Sequence, residues 1–170
     1  MKTKLVILLS VFLFSMSYSQ KKEPSKASFS APKVLFADDY LTATMDKIFQ
    51  KEGIEVINTQ PTYMEINLGD DLKIPVFIDV DGDKQFLIFN GSNALKEETP
   101  VAKAKELVSD INSQTNFIKA GYDEEKNLIE FRYYFWIKDG FTEKSLVSAL
   151  EMYRLAYVYT FSLDKEELLK

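Results

Sequence analysis

Apolar residues recur at helical spacing in three stretches of the chain. The first stretch predicts a helix over Asp39–Glu52, followed by Gly53, because glycine readily adopts the left-handed conformation that ends many helices. The second predicts a helix with Thr99 as its N-cap and Pro100 as its first residue. The third predicts a final helix that is capped by Thr142.

Alternating and dense apolar runs predict the strands. They lie at Tyr63–Leu68, Ile74–Val80, Phe86–Phe89, Phe117–Tyr122 and Leu128–Lys138. Asp81-Gly82 joins the second run to the third, and this dipeptide is typical of tight β-hairpins. The short run Ile54–Ile57 is compatible with a strand or with a simple return of the chain. The order α-β-β-β-α-β-β-α predicts an α+β domain with three helices and a mainly antiparallel sheet of about five strands.

The first residues predict export. Lys2 and Lys4 precede the apolar run Leu5–Phe14, and small residues follow up to Ser19, which is the pattern of a signal peptide that is cleaved after Ser19. The run is shorter than the ~20 apolar residues that span a bilayer. We therefore expect a protein exported to the periplasm or the extracellular space, with no membrane insertion after cleavage.

Charge and composition divide the remaining chain into three parts. Residues 20–37 predict a flexible basic linker, residues 38–163 a single α+β domain, and residues 164–170 a C-terminal tail. Residues 34–170 carry 15 basic and 25 acidic side chains, a net charge of −10. Because a body of this charge repels phosphate backbones, we expect no binding of nucleic acid.

The chain contains neither cysteine nor histidine. This excludes thiol nucleophiles, Ser-His-Asp triads, zinc sites built on Cys or His, and haem held by histidine.

The acidic residues Asp79, Asp81 and Asp83 resemble the start of a calcium-binding loop. However, Gly82 falls at position four instead of position six, which favours a hairpin turn. We expect a protein without metal, cofactor or enzymatic activity. The alternative is a small-molecule-binding protein or a hydrolase built on carboxylates and tyrosines.

The strand Leu128–Lys138 contains the densest aromatic cluster of the chain. The residues expected to face the helices are Ile129, Phe131, Tyr133, Phe135 and Ile137. The opposite face places Arg132, Tyr134 and Trp136 together, and aromatic residues between charges are typical of a partner-binding surface or a dimer interface. These three residues are the candidate protein-binding site. The alternative is an ordinary solvated face, in which cross-strand aromatic pairs only add stability.

Several motifs together resemble a known family. They are the helix Val101–Gln114 with Asn112, the following Phe117, a hairpin with an acidic turn, the segment Asp139-Gly140-Phe141-Thr142-Glu143 that begins the last helix, and the hairpin Ile74–Phe89 with Phe77, Asp79, Asp81 and Gly82. Over about Leu41–Phe161 the chain resembles the YbjN family, which is described as bacterial sensory transduction regulators with the fold of type III secretion chaperones.

The resemblance implies a protein-binding module that is often dimeric, and it implies no catalytic residue. Typical secretion chaperones are cytosolic, whereas this chain carries an export signal. The combined expectation is an exported, non-enzymatic binding module of YbjN-like type that acts as a regulatory or chaperone-like factor through a sheet face. Its partner would be an unknown protein or a second copy of the chain. An accessory subunit of an envelope assembly would differ only in the identity of that partner.

Overall fold

The computed structural model describes residues 31–35, 42–61, 63–69, 74–80, 83 and 85–170. The described helices and strands belong to one compact unit, Pro32–Lys170. The predicted signal peptide, residues 1–19, and most of the predicted linker lie outside the described residues, as do Asp81 and Gly82 of the predicted hairpin turn.

The described part of the chain contains three helices and eight strands. The helices are α1 (Thr42–Lys51), α2 (Val101–Gln114) and α3 (Glu143–Leu163). The strands are β1 (Val34–Leu35), β2 (Glu55–Thr59), β3 (Tyr63–Leu68), β4 (Ile74–Val80), β5 (Phe86–Ala94), β6 (Lys119–Asp123), β7 (Leu128–Trp136) and β8 (Phe141–Thr142). None of these three helices has the length and apolar character needed to cross a bilayer.

Six strands form one antiparallel sheet, in the order β2-β3-β4-β5-β7-β6. This arrangement confirms the predicted α+β class. The sheet has one strand more than expected because the run that the sequence left open forms β2, which pairs with β3 across a bulge at Ile57. β1 and β8 form a separate two-stranded ladder, in which Leu35 pairs with Phe141. This ladder includes residues that were assigned to the linker.

One face of the large sheet lies in the core. In β3 the buried positions are Met64, Ile66 and Leu68. In β7, Ile129 and Phe131 are fully buried, as the alternation predicts. The helices pack on this face, where the ring of Tyr153 in α3 lies edge-on to Phe89 of β5 at a centroid distance of 6.0 Å. None of the described helices packs on the other face of the sheet.

Two of the three predicted helix-end signals are confirmed. Gly53 follows α1 with a φ of 73°. At α3, Thr142 Oγ1 accepts the N–H of Ser145 at 3.1 Å, and Ser145 Oγ accepts the N–H of Thr142 at 2.9 Å. The cap predicted for α2 is wrong. Pro100, with a ψ of 138°, is itself the N-cap residue, so the helix begins one residue later than predicted. Thr99 Oγ1 is buried and has no hydrogen-bond partner among the described residues.

Helix α2 covers the edge of the sheet at β6. Asn112 Nδ2 donates to the carbonyl oxygen of Ala120, and Asn112 Oδ1 accepts the N–H of Ala120, both at 2.9 Å. The side-chain amide thus makes the two hydrogen bonds that a further strand would make at this position. An edge residue that is satisfied in this way is no longer a template for pairing with another chain.

The predicted tail, residues 164–170, returns to the sheet. The N–H of Lys170 donates to the carbonyl oxygen of Ala94 at 3.0 Å. A carboxylate oxygen of Asp164 accepts the N–H of Leu169 at 2.8 Å, and the side chain of Leu169 is buried. These contacts make the segment part of the domain, because Asp164 turns the chain immediately after α3.

Two tyrosines of α3 approach the sheet at Gly91. Tyr153 Oη donates to the carbonyl oxygen of Phe131 at 2.9 Å, and Tyr157 Oη donates to Asn93 Oδ1 at 2.6 Å. A Cβ atom at Gly91 would lie 2.7 Å from Tyr153 Oη and 3.2 Å from Tyr157 Cε2. The absence of a side chain at this position is therefore what allows the two rings to approach the sheet.

We expect Gly91→Ala to lower the free energy of unfolding by about 1–3 kcal/mol, because the added methyl group overpacks the contact with α3. Urea denaturation measures this. Gly121→Ala is the matched control, since a Cβ atom there would meet no atom within 4 Å. Adding Tyr153→Phe to Gly91→Ala removes the nearest atom together with its hydrogen bond, so the double variant should lose less stability than the sum of the two single losses. Equal losses in the two glycine variants would contradict this explanation.

The buried tyrosines predict a loss of stability at alkaline pH. Burial raises the pKa of Tyr157 to about 12, an effect that the hydrogen bond to Asn93 partly opposes. Burial also raises the pKa of Tyr153. An unfolded tyrosine titrates near pH 10. Above this pH the folded chain therefore binds more protons than the unfolded chain does. The stabilisation is complete below about pH 10 and is lost as the pH rises through the pKa values of the folded tyrosines.

Tyr157→Phe should show a shallower decline in the free energy of unfolding above about pH 10 than the wild type, by at most ~1.4 kcal/mol per pH unit. Urea denaturation at a series of pH values checks this. Tyr159→Phe, at an exposed position on the same helix, is the control and should retain the wild-type slope. Parallel declines in the wild type and Tyr157→Phe would show that Tyr157 does not cause the effect.

Candidate functional site

The face of the sheet opposite the helices, here called the outer face, carries two rows of side chains in register. One row consists of Tyr63, Asp79, Ile88 and Tyr134 on β3, β4, β5 and β7. The neighbouring row consists of Glu65, Phe77, Asn90 and Arg132 on the same strands. Directly opposed residues have Cβ atoms about 4.5–5.5 Å apart, so each row forms a continuous surface.

A depression of about 460 Å³ lies on the outer face. The central strand β5 contributes Ile88 and Asn90 to its lining. Tyr63 and Phe77 line one side, with ring centroids 6.4 Å apart, and Tyr134 lines the other. The backbones of Tyr63 and Tyr134 are separated by three strand spacings, about 14 Å. The depression is therefore an open trough with aromatic sides.

Asp79 places a carboxylate within this trough. It pairs with Tyr63 on one side and with Ile88 on the other. Asp79 Oδ2 accepts a hydrogen bond from Asn90 Nδ2 at 3.0 Å. Among the described residues no other side chain donates to this carboxylate, so Oδ1 has no side-chain donor within that part of the chain.

Arg132 lies on the opposite side of the trough, as part of an ion pair. Its guanidinium group contacts the carboxylate of Glu130, two residues earlier on the same strand. The side chain of Arg132 is 49% exposed, so solvent screens the pair. To pair with a carboxylate of a partner, Arg132 would have to exchange or share Glu130.

Trp136 and Tyr134 pack on Phe86, at one end of the outer face. Their rings lie edge-on to Phe86 at centroid distances of 5.0 Å and 5.9 Å, respectively. Trp136 Nε1 donates to Asp139 Oδ2 at 2.7 Å, which orients the indole. Both side chains remain exposed, at 46% for Tyr134 and 43% for Trp136. The contacts therefore hold the rings in place without burying them.

The charges of the two rows and their neighbour on β7 are mainly acidic. Glu65, Asp79 and Glu130 point to the outer face, against the guanidinium of Arg132 and the ammonium group of Lys119, which pairs with Arg132 across β6 and β7. Since Arg132 pairs with Glu130, the trough has a negative balance around Asp79. Within the described residues, no three acidic side chains converge in the manner of a metal site.

A second, smaller depression of about 370 Å³ lies where β1, α1 and α3 meet. Charged residues dominate its rim, and Lys51 forms an ion pair with Glu143 across it. The hydrogen bond and charge of Glu143 raise the pKa of Lys51. The two groups thus satisfy each other, so the outer face is the better candidate for recognition.

Comparison with known proteins shows the fold. No protein-family model matches the chain, and no curated protein matches it in sequence. Among solved structures, the chain is similar to one described as "Crystal structure of YbjN, a putative transcription regulator from E. coli", with a TM-score of 0.62 and 13% identity. The match covers 75% of this chain and 94% of that chain. The YbjN-like fold is therefore shown, while at this identity the similarity carries no function.

The structure places all three predicted site residues on the outer face. Arg132 and Tyr134 line the trough, and Trp136 lies two residues beyond Tyr134 on β7. Asp79 and Phe77 also belong to this surface, which the sequence did not predict. Their outward positions follow from the alternation in β4, but only the sheet order places β4 two strands from β7.

We expect Trp136→Ala to lower the free energy of unfolding by only about 1 kcal/mol, because the ring is half exposed and loses mainly its contact with Phe86. Phe131→Ala, at an inward position of the same strand, should cost about 3–5 kcal/mol. Chemical denaturation of both variants tests the assignment of faces. Similar large losses in the two variants would place Trp136 in the core and remove it from the candidate surface.

Proposed function

We propose that this protein is a non-enzymatic protein-binding module, of YbjN-like type, that contacts its partner through the outer face of the sheet. One observation carries the proposal. Phe77, Tyr134 and Trp136 lie on the uncovered sheet face with 40–46% of their surface exposed, around an open trough. Ordered aromatic rings beside an arginine provide rigid contact area, which is typical of the centre of a protein interface.

The shape of the trough favours a protein over a small molecule. Small-molecule sites bury about 70–90% of the ligand, which requires a deep and enclosed pocket. Here the aromatic side chains are themselves half exposed, and the sides stand about 14 Å apart. A small-molecule-binding protein or a carboxylate-based hydrolase remains the alternative proposal, which a ligand enclosed by Asp79 and Glu130 would favour.

The proposal includes a regulatory or chaperone-like role outside the cytoplasm. The pattern of residues 1–19 supports export to the periplasm or the extracellular space. The similar structure carries the description "a putative transcription regulator", which supports a regulatory role. An acidic body that repels DNA supports regulation through protein contacts, either with another protein or with a second copy of the chain.

Tyr134→Ala tests the proposal. We expect it to weaken self-association, or association with a purified partner, by about 5-fold or more, since truncation of a residue central to an interface costs more than about 1 kcal/mol. Light scattering of the mature protein measures self-association, and titration calorimetry measures binding to a partner. Tyr159→Ala is the matched control, because Tyr159 is also 46% exposed but lies on α3.

Equal effects of the two tyrosine variants would contradict a role for the outer face. The role of the outer face would also be contradicted if the protein is monomeric and a purified partner binds wild type and Tyr134→Ala with the same affinity.

A further inference from the structure

The trough on the outer face combines a carboxylate with aromatic side chains. Asp79 lies in register beside Tyr63, and Phe77 occupies the next outward position on the strand of Asp79. A carboxylate and an aromatic face both attract a cation, the first through its charge and the second through the ring quadrupole. This combination indicates which chemistry a partner presents there.

The carboxylate of Asp79 is only partly satisfied from within the chain. Asn90, its donor among the described side chains, is a neutral amide and engages Oδ2. The described guanidinium on the far side of the trough, Arg132, is neutralised by Glu130. The negative charge of Asp79 therefore remains available to a group that enters from solvent.

The rings beside Asp79 are held in position. Tyr63 and Phe77 pack against each other at a centroid distance of 6.4 Å, and Asn58 Nδ2 donates to Tyr63 Oη at 3.4 Å. A planar cation that stacks on a ring held in this way loses less conformational entropy than one that must order a free ring.

We propose that the trough binds an arginine side chain of the protein partner, with the guanidinium group hydrogen-bonded to Asp79 and stacked on Tyr63. This inference rests on the proposed function and specifies the partner's chemistry. Arginine fits better than lysine, because its planar fork donates to a carboxylate while its face stacks on an aromatic ring. The backbones of Tyr63 and Tyr134 lie about 14 Å apart, and β4 and β5 form the floor between them.

Titration with an acetylated tetra-arginine peptide tests the inference. Trp136, the single tryptophan of the chain, lies on the same face and reports binding by its fluorescence, and calorimetry supplies an independent constant. We expect Asp79→Asn to raise the dissociation constant by about 5-fold or more, a loss typical of a charge-assisted hydrogen bond. A tetra-citrulline peptide, which is similar in shape but neutral, should not bind measurably.

Asp110→Asn is the matched control, since it removes the same charge from an exposed position on α2 in the helix layer. The dissociation constant of this variant for the tetra-arginine peptide should stay within about twofold of the wild-type value. Tyr63→Leu, a second variant, should weaken binding while leaving the net charge unchanged. Equal effects of Asp79→Asn and Asp110→Asn would show that the peptide follows net charge alone, and would overturn the site.

The result is separable from the proposed function. If Tyr134→Ala weakens association but Asp79→Asn affects neither association nor peptide binding, the outer face is an interface and the arginine inference is wrong. If Asp79→Asn weakens peptide binding and Tyr134→Ala leaves association unchanged, the trough recognises arginine but the proposed aromatic interface fails. If neither variant has an effect, both proposals are wrong.

Discussion

The approach of α3 to the sheet at Gly91 is the contact on which the rest of this structure depends. Tyr153 brings a hydroxyl group into the core, where an unpaired polar group would be costly, and the carbonyl oxygen of Phe131 accepts its hydrogen bond. The missing side chain of Gly91 provides the space. The apolar alternation along β3 and β7 determines which face of the sheet is dry, and this contact fixes α3 on that face.

The outer face is the side of the sheet on which none of the described helices packs. Aromatic side chains remain there in contact with water, fixed by edge-on packing on Phe86 and by the hydrogen bond of Trp136 to Asp139. Asn112 satisfies both backbone groups of Ala120 on β6. This edge of the sheet therefore has fewer free backbone groups for pairing with another strand.

Much of the fold follows from local patterns. The alternation in β3 and β7 predicts the inward residues, and the capping box at Thr142 follows from residue type at a helix start. Local patterns do not predict two other features. The segment after Asp164 reads as a polar tail, yet it packs against the end of β5. The cap at Thr99 fails because the backbone angles of Pro100 place the helix start one residue later.

The candidate site divides in the same way. The sequence by itself determined that Arg132, Tyr134 and Trp136 share one side of a strand, because side chains alternate at every residue along β7. Only the tertiary structure decided that Asp79 and Tyr63 complete the same surface. They reach Arg132 and Tyr134 because β5 pairs with β7, a strand that α2 and β6 separate from it in the chain, and no local preference encodes this pairing.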